Sequence, residues 1–367
     1  MTISVDKRPG SARHNATAPV AVGIDSLYVS AYVDGLKIDW MQLEYERENL
    51  SSSPGQEFSE IKLGNENFAL RRGGRKPYTY HLSNTAFHLW LGPRIRPCCH
   101  AQLSSELLWS VGLENALKRF HAIWDALGTV ITRPDVISRV DAAFDFKIDC
   151  PNFKAEHFLS KAAKDNTWRK NQRFQGFQFG VSDIVCRVYD KCAEIEEKSG
   201  KRWFYEIWGV REGIWRCEFQ IRGKALDLAG VETIDQLNAR LPGLVRKLAR
   251  HHTSLRVPTG DTNRSRWPVH PMWRGIIAAT DRLVSAPATN LPPAVFSGTE
   301  YALERQLRSI FGHLKSVAAL LSRFDPDRPI TLDILLARLG DKLRPYHCPA
   351  LWAADVQEKI RKRELGL

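Results

Sequence analysis

Three stretches of this chain alternate apolar and polar side chains with a period of two, and any fold must satisfy all three at once. In Ser138-Arg-Val-Asp-Ala-Ala-Phe-Asp-Phe-Lys147, Val140, Ala142, Phe144 and Phe146 share one face, and Arg139, Asp141, Ala143 and Asp145 share the other. In Ile184-Val-Cys-Arg-Val-Tyr-Asp-Lys191, Ile184, Cys186 and Val188 oppose Arg187, Tyr189 and Lys191. In Trp215-Arg-Cys-Glu-Phe-Gln-Ile-Arg222, Trp215, Cys217, Phe219 and Ile221 oppose Arg216, Glu218, Gln220 and Arg222. Such alternation is the pattern of a strand buried on one side. Three strands of this kind form one sheet over one core, and their second faces pool carboxylates, arginines and a tyrosine.

The remaining patterns extend this sheet. Asp25 to Val33, Ile61 to Leu63, Phe68 to Leu70, Tyr78 to Leu82 and Ala86 to Trp90 are further strand candidates. Phe174 to Phe179 is expected to form a hairpin with the Tyr189 strand around Gly180-Val-Ser-Asp183. Helical spacing predicts helices over Trp40 to Glu48, Ser104 to Leu127 with an interruption at Gly112, a short one near 153–164, and one over 231–252. The expected fold class is α+β: an antiparallel-rich central sheet covered by helices on one face, with a C-terminal helical module. The expected organisation is a flexible basic arm over 1–20, one domain over 21–280, a linker over 281–299 rich in Ala, Pro, Ser and Thr, and the module over 300–367, with helices near 303–321, 331–344 and 351–365.

The formal net charge of +12 favours a polyanionic partner, first of all nucleic acid. Seven cysteines without framework spacing point to reduced thiols and a cytoplasmic protein. No CxxC pair is present, which argues against a zinc module, and no run approaches the ~20 apolar residues of a membrane span. Asp141, Glu218 and Asp145 are oxygen donors suited to Mg²⁺ or Mn²⁺. Tyr189 is the candidate nucleophile towards a phosphate, with Arg187, Lys191 and the metal expected to lower its pKa by favouring the phenolate. Arg139, Arg216, Arg222, Arg264, Arg266 and the basic turn of Arg71, Arg72, Arg75 and Lys76 are candidate DNA contacts. Each element also has a plain structural reading. Arg139 with Asp141, and Arg216 with Glu218, serve equally as ion pairs, and Tyr189 as a sheet aromatic.

At these segments the chain resembles the Rep_trans family, the rolling-circle replication initiators of plasmids and related mobile elements. The resemblance rests on Ser138 to Asp145, on Cys186-Arg-Val-Tyr-Asp-Lys-Cys-Ala-Glu194, on Trp215 to Arg222, and more loosely on Asp25 to Ser30 and Asn263-Arg-Ser-Arg-Trp-Pro268. It covers about residues 20–275 and leaves the C-terminal module outside. It implies a nicking and closing enzyme that binds an origin hairpin and cuts one strand through a tyrosine. The tyrosine becomes linked to the 5′-phosphate, a 3′-hydroxyl is freed to prime synthesis, and the strands are later rejoined. The matching tyrosine is Tyr189, and the nearest matches to acidic metal ligands are Asp141 and Glu218, then Asp145, with Glu194 as another option. A His–hydrophobic–His metal pair is absent from the sequence. A host helicase and a second copy of the chain stay open as partners. The competing readings are a DNA-binding regulator or recombination protein of the same fold that does not cut, and a metal-dependent phosphodiesterase that uses water.

Overall fold

The structure, a computed structural model, describes residues 17–34, 37–53, 56–149, 151–170, 172–285, 299–323 and 330–366. Strand β1 (Ala21–Val33) is followed by helix α1 (Trp40–Ser52) and an antiparallel meander of β2 (Phe58–Leu63), β3 (Glu66–Arg71), β4 (Tyr80–Ser83), β5 (Phe87–Leu91) and β6 (Cys99–Leu103). Helix α2 (Ser105–Ala126) then leads into the long β7 (Ile131–Lys147). Next come β8 (Phe158–Ser160), β9 (Asp165–Lys170), β10 (Arg173–Phe179) and β11 (Ile184–Asp190). Helix α3 (Lys191–Glu194), a π turn over Ile195–Ser199 and α4 (Trp203–Trp208) return the chain to β12 (Ile214–Arg222). Helices α5 (Lys224–Ala229) and α6 (Ile234–His251), strand β13 (Thr253–Leu255), and helices α7 (Pro271–Ala279) and α8 (Arg282–Ser285) complete the body. Beyond it stand α9 (Thr299–Ser322), α10 (Leu332–Leu343) and α11 (Pro349–Glu364).

Eleven strands form one sheet in the order β2-β3-β4-β5-β6-β1-β7-β12-β11-β10-β9, while β13 pairs with β8 apart from it. The three alternating segments are therefore neighbours, β7 beside β12 beside β11, all antiparallel. The fold is α+β, with a large antiparallel sheet flanked by helices and a C-terminal helical module. Among the described residues no helix is long and apolar enough to cross a membrane, and the six described cysteines are free thiols.

One sheet face carries the main core. Leu27, Val29, Phe144, Phe146, Cys217, Phe219, Cys186 and Val188 pack there against Leu117, Phe120 and Trp124 of α2, Leu241 and Val245 of α6, and Trp273 of α7. Helix α6 presents Leu237, Leu241, Val245 and Leu248 along one side, and a capping box between Thr233 and Gln236 fixes its start. Helix α2 begins at Ser104, whose hydroxyl accepts from the Leu107 amide, and it breaks at Gly112, which adopts φ 77°. The exposed edge strand β9 carries Arg169 and Lys170, charges that discourage further strand pairing.

The second face is polar yet partly sealed. Arg216 and Asp145, opposite one another on β12 and β7, are both 0% exposed. The Arg216 guanidinium donates to Asp145 Oδ1 at 2.6 Å and Oδ2 at 2.8 Å, and to Asp25 Oδ1 of β1 at 2.7 Å. Trp109 and Phe204 cover it, with ring centroids 5.6 and 4.4 Å from its central carbon. A small cluster of Trp203, Phe204, Tyr205, Trp208 and Ile195 caps this end of the sheet.

Several sequence expectations change. Arg216 pairs with Asp145 and Asp25, not with Glu218: Asp145 stands directly across the ladder and the Asp25 carboxylate reaches the same guanidinium, while Glu218 is taken up by Arg187 and Tyr189. The short helix near 153–164 is a single 3₁₀ turn at Ala155–His157 followed by β8, because Phe158 is drawn into a ring cluster with Phe177 and Phe179 at 5.0 and 4.9 Å. Strands β6 and β9 lacked a strand signal strong enough to register. The first residues of the expected linker form α8, anchored by buried Leu283. The rest of that linker, 286–298, and the arm up to residue 16 lie outside the described residues.

Replacing Arg216 by Met leaves Asp145 buried without its counter-charge. Removing one partner of a buried ion pair costs about 3–5 kcal/mol, and a loss of that size in urea unfolding is the expected outcome for Arg216→Met.

Candidate functional site

The open part of the polar face holds most of the candidate residues. Register places Arg187 across from Glu218, Gln220 across from Asp141, and Asp141 across from Ser26. A bulge between Ile24 and Ser26 leaves Asp25 as the extra residue of β1. Its carboxylate can therefore reach Arg216, Ser105 Oγ at 2.9 Å and Trp109 Nε1 at 3.0 Å. Gly23 permits this cover, since Trp109 ring carbons lie 3.1–3.3 Å from where a Cβ would stand.

Tyr189 sits beside a cavity of about 420 Å³ lined also by Arg139, Trp168, Gln175, Arg187, Glu194, Lys198 and Glu218. Its hydroxyl donates to Glu218 Oε2 at 3.0 Å. Across the ladder, Gly176 faces Tyr189, and a Cβ there would fall 2.6–2.9 Å from Val188 O and the Tyr189 Cα and Cβ. The strand behind the tyrosine must thus be bare.

The two cations that flank Tyr189 in the sequence bond acids and amides, not its hydroxyl. Arg187 turns to Glu218 Oε1 at 2.9 Å and to the Gln220 and Gln178 side-chain oxygens at 3.2–3.3 Å. Lys191 is buried and donates to Glu194 Oε2 at 2.6 Å, with its ammonium 5.8 Å from the Tyr189 ring centre rather than beside the hydroxyl. Burial, reinforced by the Glu218 charge, pushes the Tyr189 phenol well above its ordinary value. Burial and then the Arg216 charge push Lys191 down. In Asp25 burial works upward, yet Arg216, with Lys201 and Lys191, holds the carboxyl well below the usual range.

Arg139 forms a two-pronged ion pair with Asp141, at 2.8 and 2.5 Å, and lies 4.9 Å from the Tyr28 ring centre. Burial pushes the Asp141 carboxyl up to about 6, with Arg139 pulling down and the Glu218 charge pushing up. Two mutually repelling, nearly buried carboxylates have the donor chemistry of a hard-cation site. The geometry is less complete. Among the described residues no group of three or more His, Cys, Asp or Glu could hold a metal. Asp145 has both oxygens taken, by Arg216 and by Trp208 Nε1 at 2.9 Å.

The other expected DNA contacts are scattered. Arg216 has no surface to offer, being enclosed by two carboxylates and two rings. Arg222 donates to the Ser182 and Val181 main-chain oxygens at the tip of the β10–β11 hairpin. Arg71 is half-buried against Ser83 Oγ, Arg72 bonds the Gln56 and Ser53 main-chain oxygens, and Arg75 lies over Trp90. Lys76 is exposed in the same turn. Arg264 bonds the Glu156 main-chain oxygen and Arg266 approaches Asp261 at 3.6 Å, far in sequence from the Tyr189 cavity and not among its lining residues. Asp25 and Trp168 join the face without having been singled out for it. The Asp25 strand was recognised, but its bulge has no signature in sequence.

No protein-family model and no curated protein sequence matches the chain. Among solved structures, one titled "Structure of Rolling Circle Replication Initiator Protein from Geobacillus stearothermophilus" matches with a TM-score of 0.40 at 17% identity, covering 72% of this chain and 98% of that one.

A carboxyl that binds its proton more tightly in the folded state stabilises the fold below its unfolded pKa, and that contribution is lost as pH rises through the folded value. For Asp141 the window runs from its ordinary 3.8 to about 6. Asp141→Asn is expected to remove a slope on the order of 2 kcal/mol across that window, read as the difference in denaturation midpoints between the two proteins at either end of it.

Proposed function

We propose that this chain nicks and rejoins single-stranded DNA at a replication origin hairpin, with Tyr189 as the nucleophile. The observation that carries this reading is the 3.0 Å contact from the Tyr189 hydroxyl to Glu218, beside a cavity that Arg139 and Arg187 also line. A half-buried phenol that stays protonated needs a base at hydrogen-bond distance, and Glu218 supplies it.

The chemistry then follows from residues already placed. A backbone phosphate enters the cavity and is held by Arg139 and Arg187, which exchange their carboxylate partners for phosphate oxygens. Glu218 takes the phenolic proton as the tyrosine oxygen attacks phosphorus. The bond from phosphorus to the 3′-oxygen breaks, and that oxygen leaves with a proton from solvent as a 3′-hydroxyl. The 5′-phosphate remains on Tyr189. The two arginines offset the charge that builds on the phosphoryl oxygens. Attack by a 3′-hydroxyl on the phosphotyrosine reverses the sequence and seals the strand. Mg²⁺ or Mn²⁺ is the cofactor this reading carries. Asp141 and Glu218 would hold it, and it would polarise the scissile phosphate. The Asp25–Arg216–Asp145 assembly supports β12 beneath Glu218 and does not touch the DNA.

The test is covalent capture. The protein is incubated with labelled hairpin oligonucleotides, with Mg²⁺, with Mn²⁺ and with chelator, and run under denaturing conditions. A labelled adduct is expected from the wild type and none from Tyr189→Phe, which keeps its affinity for the DNA. Glu218→Gln should slow adduct formation by roughly 10²- to 10⁴-fold, the usual worth of a general base. Cleavage by Tyr189→Phe at the wild-type rate would mean that water attacks, and the phosphodiesterase reading would replace this one. Hairpin binding without any cleavage would favour the regulator.

A further inference from the structure

The polar face does not end at Tyr28. On the strands beyond it, six partly exposed rings gather: Tyr28, Tyr78, His81, His88, Trp90 and His100. Trp90 is their centre. Its ring lies 5.2 Å from His81, 6.1 Å from His88 and 6.4 Å from Tyr28, with interplanar angles of 14°, 18° and 8°. His100 lies 5.7 Å from Trp90 and 6.0 Å from Tyr78. The rings come from β1, β4, β5, β6 and the turn before β4, so only the sheet assembles them.

The rings are neutral and the rim is cationic. Burial, with smaller contributions from neighbouring cations, lowers His81 and His100 to about 4 and also lowers His88. The outward positions of β4, β5, β6 and of β1 from Tyr28 onward hold no carboxylate. Arg71 stands opposite His81, and the Arg75 guanidinium is 5.7 Å from the Trp90 ring centre. A ladder of facing positions, His88 to Gln102 to Tyr28 to Arg139, joins this surface to the Tyr189 cavity. Trp90 on β5 and Tyr189 on β11 are five strand spacings apart, roughly 24 Å.

We propose that this aromatic surface is a stacking platform for single-stranded DNA, holding the bases of the strand whose backbone runs on into the Tyr189 cavity. Parallel flat rings without charge take a base of any sequence, and arginines at the rim take its phosphates. A protein partner would instead call for an apolar surface without three histidines, and duplex DNA does not expose its base faces. The idea rests on the proposed function only for where the strand leads, and it is tested by binding alone.

The experiment measures anisotropy of a labelled poly-dT oligonucleotide, of an abasic oligonucleotide of equal length and of a duplex, against wild type, Trp90→Ala and Trp90→Phe. The wild type should prefer the oligonucleotide with bases over the abasic one. Trp90→Ala should lose about 5- to 150-fold in affinity for poly-dT, the range for one stacked base, with little change for the abasic strand. Trp90→Phe keeps a stacking face and should recover most of the loss, which separates stacking from misfolding. Equal loss on both oligonucleotides, or tighter binding to duplex than to single strand, would overturn the platform even if the covalent adduct forms. A base-dependent loss in Trp90→Ala together with no adduct would leave the platform standing and end the nickase reading.

Discussion

Everything on the polar face is arranged around one guanidinium. Arg216 sits on the strand between Tyr189 and Asp145, and it draws a carboxylate from β7 and another from β1 into a single buried cluster. Isolated, any of these charges would be costly to bury. Together, with Trp208, Ser105 and Trp109 donating to the acids, they are satisfied in one geometry. The cluster fixes the offset of three neighbouring strands. Two residues further along β12, Glu218 stands opposite Arg187 of β11 and beside the Tyr189 hydroxyl.

The cluster also divides the face. Over Arg216 the rings of Trp109 and Phe204 exclude water, and helices α3 and α4 cap the sheet. Further along the face Glu218 and Asp141 are nearly buried, at 7% and 4% exposure, and Glu218 lines an open cavity. Beyond Tyr28 the face widens into rings without carboxylates. A closed structural end, a middle of paired arginines and carboxylates around Tyr189, and an aromatic far end thus follow each other on one surface.

The middle is balanced rather than strongly charged. Arg139 rests on Asp141 and Arg187 on Glu218. In the proposed reaction each arginine would exchange its carboxylate for a phosphate oxygen, and the incoming anion would have to offset the loss of each ion pair. Burial, and then the Glu218 charge, hold the Tyr189 phenol well above its ordinary value, with Arg216 pulling the other way. The place of Lys191 in the sequence put it beside the tyrosine, whereas its ammonium is drawn to Glu194 one helical turn on.

The alternation in β7, β11 and β12 was legible because period two is a local property of extended backbone, and burial needs one apolar face wherever the strand ends up. The sheet, its core face and the polar set of Arg139, Asp141, Arg187, Tyr189 and Glu218 followed from that alone. Helices α2 and α6 were legible for the same kind of reason, through caps and apolar spacing. Ion-pair partners were not, because they depend on register between strands distant in the chain: Arg216 meets Asp145 and Asp25 across 71 and 191 residues. The Asp25 bulge is likewise an outcome of two strands fitting together. The aromatic surface is the fullest case. Its six rings are ordinary strand residues when read singly, between Tyr28 and His100, and only a meander that lays β4, β5 and β6 beside β1 turns them into one surface.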